Sequence, residues 1–138
     1  MKGKYLFGLL VLLVIVSCRR ENNIIPAVPV NEFVNIQNPS YQSLNGIGGW
    51  SYVTGGVRGL LVFRLDADQF LAFDRNCTHD PAEACATVVV GDNNITATDT
   101  CCNSVFQLID GSPIGGPATL GLRQYNTSFD GNIISIWN

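Results

Sequence analysis

Histidine occurs once in this sequence, at His79, and lysine only twice, at Lys2 and Lys4. A single histidine excludes a site built on paired imidazoles. It also leaves no Ser–His–Asp arrangement with supporting context. Charge is scarce too, at 14% of residues. From Asn31 onward the only basic residues are Arg58, Arg64, Arg75 and Arg123, against ten acidic ones. An acidic region without a basic cluster repels phosphate backbones, so nucleic acid is not an expected partner. There is no glycine-rich phosphate loop. Asp66-Ala67-Asp68 and Asp92-Asn93 lack the distal bidentate Glu of a calcium loop and read as turns. No stretch keeps a helical period, and no segment repeats.

What is present points to β structure. The 138 residues suffice for one domain with a core, and 14 of them are glycine. Low charge, many glycines and few helix formers suit strands and tight turns.

The first segment reads as an export signal, over residues 1–17. Lys2 and Lys4 form a positive start, and Tyr5 to Val16 is an apolar run too short to span a bilayer. It ends in Ile15-Val16-Ser17-Cys18, which resembles the lipobox of bacterial lipoproteins. The resemblance implies lipid on Cys18 and cleavage before it, leaving the chain anchored to a bacterial membrane in the cell envelope. Residues 18–30 then read as a tether, with Pro26 and Pro29 favouring extended chain.

Export sets the redox compartment, because disulfides persist outside the cytoplasm. With Cys18 lipidated, Cys77, Cys85, Cys101 and Cys102 remain. An even number reads as two disulfides, in any of three connectivities. Pairing Cys101 with Cys102 is the least favoured, since chain neighbours rarely reach disulfide geometry without strain.

Val34 and Ile36 alternate with polar neighbours, as on a half-buried strand. A turn at Gly46 to Gly49 precedes Trp50 to Val53. Leu60 to Leu65 and Phe70 to Phe73 flank Asp66-Ala67-Asp68 as a hairpin. Ala86 to Val90 and Ile95 to Thr98 flank a second turn. Leu122 to Phe129 and Ile133 to Trp137 flank Asp130-Gly131, a hairpin-turn dipeptide. The expected architecture is all-β, a small antiparallel sandwich or barrel over residues 31–138.

The residues suited to chemistry lie between Cys77 and Pro117. Cys77-Thr78-His79 follows a strand, and Cys85 comes next. After a hairpin stands Thr100-Cys101-Cys102-Asn103-Ser104-Val105-Phe106, and later Gly116-Pro117-Ala118. This order resembles the Rieske family, from about Phe33 to the C-terminus. There C-T-H-x-G-C is followed by C-P-C-H-G-S-x-F and a Gly-Pro-Ala loop. Two His hold one iron of a 2Fe–2S cluster and two Cys hold the other.

With Ser104 and Phe106 fixing the frame, the resemblance places Cys77 and His79 at the first Cys and His ligands. It makes Cys85 and Cys101 the disulfide that clamps the two loops, after an insertion within Asp80 to Ala84. Asp99 falls where the second Cys ligand belongs, and Cys102 where the second His belongs. Thr100 replaces a Pro. Asn103 replaces a Gly, and Asn tolerates positive φ well among non-glycine residues. The implied fold is Rieske-like, an antiparallel β sandwich or barrel with a small cluster-binding loop subdomain. The implied ligand set is Cys77, His79, Asp99 and Cys102, for a 2Fe–2S cluster or another metal. Cys77 and Cys102 also read as a second disulfide. The two functional expectations are a membrane-tethered carrier of single electrons, and a cluster-free, disulfide-stapled lipoprotein with a binding or structural role. The first implies a redox partner that nothing in the sequence specifies. No nucleophile–base pair indicates hydrolysis or group transfer.

Overall fold

Leu60-Leu61-Val62-Phe63 and Phe70-Leu71-Ala72-Phe73 are apolar at every position, so a strand formed by either must be covered on both faces. The computed structural model, which describes residues 25–138, buries all eight side chains. The export signal, Cys18 and most of the tether lie outside the described residues.

These strands, β3 (Leu60–Arg64) and β4 (Phe70–Asp74), sit near one side of a six-stranded antiparallel sheet. Its other members are β1 (Asn31–Asn35), β2 (Trp50–Val53), β9 (Gln124–Phe129) and β10 (Ile133–Trp137). The order across it is β1-β10-β9-β4-β3-β2. A smaller antiparallel sheet runs β5 (Val88–Val90), β6 (Thr96–Asp99), β7 (Val105–Gln107), β8 (Pro113–Gly115). Among the described residues the one helical element is a 3₁₀ segment, Pro39–Asn45, started by Asn38 accepting the Ser40 N–H.

Side-chain alternation along β3 and β4 divides the interior in two. Leu60, Val62, Phe70 and Ala72 face the first core, with Val34, Leu44, Tyr125, Ile134 and Ile136. Leu61, Phe63, Leu71 and Phe73 face the second, with Val88, Ala97 and Phe106 from the smaller sheet and Leu108 just after β7. The hairpin is thus the wall between a base layer and the smaller subdomain. The all-β expectation holds, and the expected hairpins are present.

Two segments differ from the sequence reading. Pro113–Gly115 forms an edge strand that alternation does not reveal. Residues 25–30 lie against the domain. Ile25 and Val30 are buried, the Arg123 guanidinium bonds to the Ile25 and Pro26 carbonyls, and Asn138 bonds to Val28 and Val30. Apolar residues at alternate positions, Val28 and Val30, give this extended segment one face to bury.

Buried Asp74 joins the layers at the end of β4. It accepts the backbone N–H groups of Val57, Arg58 and Asn76 and the hydroxyl of Tyr125. Among the described residues no helix is long and apolar enough to cross a membrane.

Candidate metal and thiol site

Two loops of the smaller subdomain carry the cysteines. The first joins β4 to β5. It is closed at its neck by an Asn76–Thr87 bridge and by the Cys77 N–H on the Ala86 carbonyl, 3.0 Å. Arg58 braces its far side, donating to the Asn76 side chain and to the Glu83 and Ala84 carbonyls. The second loop joins β6 to β7 in a tight turn. There the Asp99 N–H meets the Ser104 carbonyl at 2.9 Å, and the Asn103 N–H meets the Asp99 carbonyl at 2.7 Å. Asn103 takes a φ of 60°, the left-handed conformation for which a glycine is the usual residue. A disulfide joins Cys85 to Cys101 across the two loops.

The loop after β8 covers both. Gly116 has a φ of 81°, and Ala118 donates its N–H to Ser104 Oγ at 3.0 Å. Thr78 of the first loop donates its hydroxyl to the Leu120 carbonyl at 2.6 Å. Ser104 and Thr78 are therefore the pins of the three-loop assembly, and both are buried. Thr78 was visible in sequence only as the middle of a C-x-H tripeptide. Arg58 carried no sequence signal, because its partners, the Asn76 side chain and two backbone carbonyls, are distant in the chain.

Of the four expected ligands, three come together. Donor atoms of Cys77, Asp99 and Cys102 all lie within 4.8 Å of one another. The two sulfurs are 3.8 Å apart and unbonded, and Cys102 Sγ lies 3.2 Å from Asp99 Oδ2 and 3.0 Å from Ser104 Oγ. Asp99 and Cys77 are buried, while Cys102 is partly exposed. His79 does not join them. Its imidazole Nε2 stands 3.2 Å from Asp80 Oδ2 instead. Burial above all, and then the Asp99 carboxyl, push the Cys77 thiol well above the usual cysteine range, and the His79 N–H opposes this.

The fold is shared with the ferredoxin of carbazole 1,9a-dioxygenase from Nocardioides aromaticivorans IC177, at a TM-score of 0.51 and 20% identity. The match covers 80% of this chain and 97% of that one. A complex of reduced oxygenase and oxidized ferredoxin in carbazole 1,9a-dioxygenase also superposes, at a TM-score of 0.46 and 20% identity, over 64% of this chain and 81% of that one. No protein-family model and no curated protein matches the sequence. The likeness establishes a Rieske-like β fold.

The donors do not suit the cluster of that fold family. A two-iron cluster needs two ligand pairs facing each other across a space that holds both irons and both sulfides, and its Rieske form needs two imidazoles. Here three donors close on one point, one of them is a carboxylate, and the sole imidazole is turned to Asp80.

Proposed function

We propose that this chain is a cell-envelope lipoprotein, held to a bacterial membrane by lipid on Cys18. In this reading its Rieske-like domain is a cluster-free binding module rather than a carrier of single electrons. The observation that supports it is the convergence of Cys77, Asp99 and Cys102 on one point while His79 faces Asp80. A carboxylate is a harder and weaker partner than a thiolate for sulfide-bridged iron. The Cys85–Cys101 disulfide holds the loops together without any cofactor, as an oxidising compartment allows.

The test is iron and acid-labile sulfide per chain in protein matured in its own envelope, with an electron-paramagnetic-resonance spectrum after reduction. Iron and sulfide should be far below stoichiometric, and the spectrum should lack a cluster signal. Near-stoichiometric iron and sulfide with a rhombic reduced spectrum would restore the electron-carrier reading. Anchoring is tested separately. Cys18→Ala should leave the signal uncut and prevent lipid labelling. A variant that is processed and partitions into detergent like wild type would refute the lipoprotein.

A further inference from the structure

Asp99 and Asp74 are the two carboxyl groups of the described chain that are completely buried, and they are satisfied very differently. Asp74 receives three backbone N–H groups and a tyrosine hydroxyl. Asp99 receives one backbone N–H, from Cys101 on Oδ1 at 2.8 Å. Its other oxygen faces only sulfur, Cys102 Sγ at 3.2 Å. No Lys, Arg or His among the described residues pairs with it, the sole ion pair there being His79 with Asp80. A buried carboxylate with one backbone N–H, a weak thiol donor and no counter-charge is costly unless a cation compensates it. Two cysteine sulfurs beside it make that cation a thiophilic one.

Spacing agrees with a single ion. Two thiolates about 2.3 Å from one tetrahedral zinc lie roughly 3.8 Å apart. Cys77 and Cys102 already stand at 3.8 Å. We propose that Cys77, Asp99 and Cys102 bind one divalent metal ion of the zinc class, with the fourth corner open beside partly exposed Cys102. The proposal rests on the cluster-free reading and names what that module holds. Binding forms two metal–sulfur bonds and one metal–oxygen bond, and the two thiol protons leave to water. Ligation and a Cys77–Cys102 disulfide are mutually exclusive, so a bound ion also keeps this thiol pair from oxidising. His79 is not a ligand, which separates this site from the four-ligand set of the fold family.

The experiment uses the full chain in detergent, reduced under anaerobic conditions and titrated with cobalt(II). One ion per chain should give sulfur-to-cobalt charge-transfer absorption with tetrahedral visible bands, and zinc in excess should bleach both. Cys77→Ser and Cys102→Ser should abolish the charge-transfer band, and Asp99→Asn should weaken binding at least roughly tenfold. His79→Ala, and Cys85→Ser with Cys101→Ser, should keep it. Zinc should also shield partly exposed Cys102 from alkylation in wild type, a readout independent of whether any variant folds. Absence of the cobalt band in reduced wild type, or its persistence in Cys77→Ser, would overturn the proposal. Loss of the band in His79→Ala would overturn it too. Two irons and two sulfides per chain would instead overturn the reading beneath it.

Discussion

Gly116 passes so close to Asn103 that a Cβ on it would lie 2.5 Å from the Asn103 carbonyl oxygen, and as near to Ser104 Cα. Both obstacles are backbone and cannot rotate away. Its φ of 81° independently disfavours a side chain. The covering loop can therefore reach the second cysteine loop, and seat Ala118 on Ser104, only through a glycine.

Gly116→Ala should lift that loop and destabilise the domain by about 1–3 kcal/mol, through backbone conformation and the displaced contact together. Denaturant midpoints measure the loss, and alkylation of Cys102 should quicken in step. An unchanged midpoint would mean that the loop is not packed as described.

The Cys85–Cys101 cross-link closes a loop with a sequence separation of 16. Both residues are exposed, so replacing them opens no cavity. The effect falls on the unfolded chain, whose lost loop closure corresponds to roughly 3 kcal/mol. Cys85→Ala with Cys101→Ala should lower stability by that order. Non-reducing peptide mapping of wild type should recover the Cys85–Cys101 peptide. Recovery of Cys77–Cys101 with Cys85–Cys102 would show that the loops are registered one residue away.

The fold was legible because its strands carry local signals. The doubly apolar hairpin of β3 and β4 could only be a covered pair, and Asp130-Gly131 could only turn between two apolar runs. The 3₁₀ segment Pro39–Asn45 was not legible, because only Leu44 in it is buried and no period emerges. Pro113–Gly115 is an edge strand of three residues without a buried side chain. At the site, Asn103 could be anticipated, since a glycine position asks for positive φ and Asn supplies it. His79 could not. Its chain position matches a ligand, but the rotamer is set by Asp80, whose φ of 48° begins the inserted stretch. Spacing along a chain carries no rotamer.

Tyr125 offers a test by pH. Burial first, and then the Asp74 carboxyl at 2.9 Å, push its phenol up to about 12, above the ordinary tyrosine value of 10.0. A raised value in the fold means that the unfolded chain loses its proton first. The associated stability is complete below about pH 10 and is lost as pH rises through about 12. The amount is of order 2 kcal/mol. Denaturation midpoints of wild type should fall across that window, and Tyr125→Phe should remove this part of the fall. The variant should also lose about 1–2 kcal/mol at neutral pH, because buried Asp74 keeps only its three backbone donors. Spectrophotometric titration should show one tyrosine ionising well above the rest.

Asp99 and Cys102 lie three residues apart on one turn and aim their side chains at the same point, Oδ2 to Sγ at 3.2 Å. The turn is held by backbone bonds from Asp99 to Asn103 and Ser104, which a change of side chain leaves intact. Restoring the Rieske pattern with Asp99→Cys and Cys102→His therefore keeps the loop and alters only the donors. The remaining obstacle is His79, which must turn away from Asp80. That pair is partly solvated, with the His79 side chain 20% and Asp80 51% exposed, and an ion pair near the surface is worth about 0–1 kcal/mol. Ligation of iron by the imidazole outweighs a contact of that size. The double variant, reconstituted anaerobically with iron and sulfide, should acquire colour and the reduced paramagnetic signal of a cluster with two imidazoles and two thiolates. Wild type treated alongside should not. A double variant that keeps the wild-type circular dichroism yet takes up no iron would show that these loops do not register on the ligand loops of the Rieske fold. The frame set by Ser104 and Phe106 would then have to be abandoned.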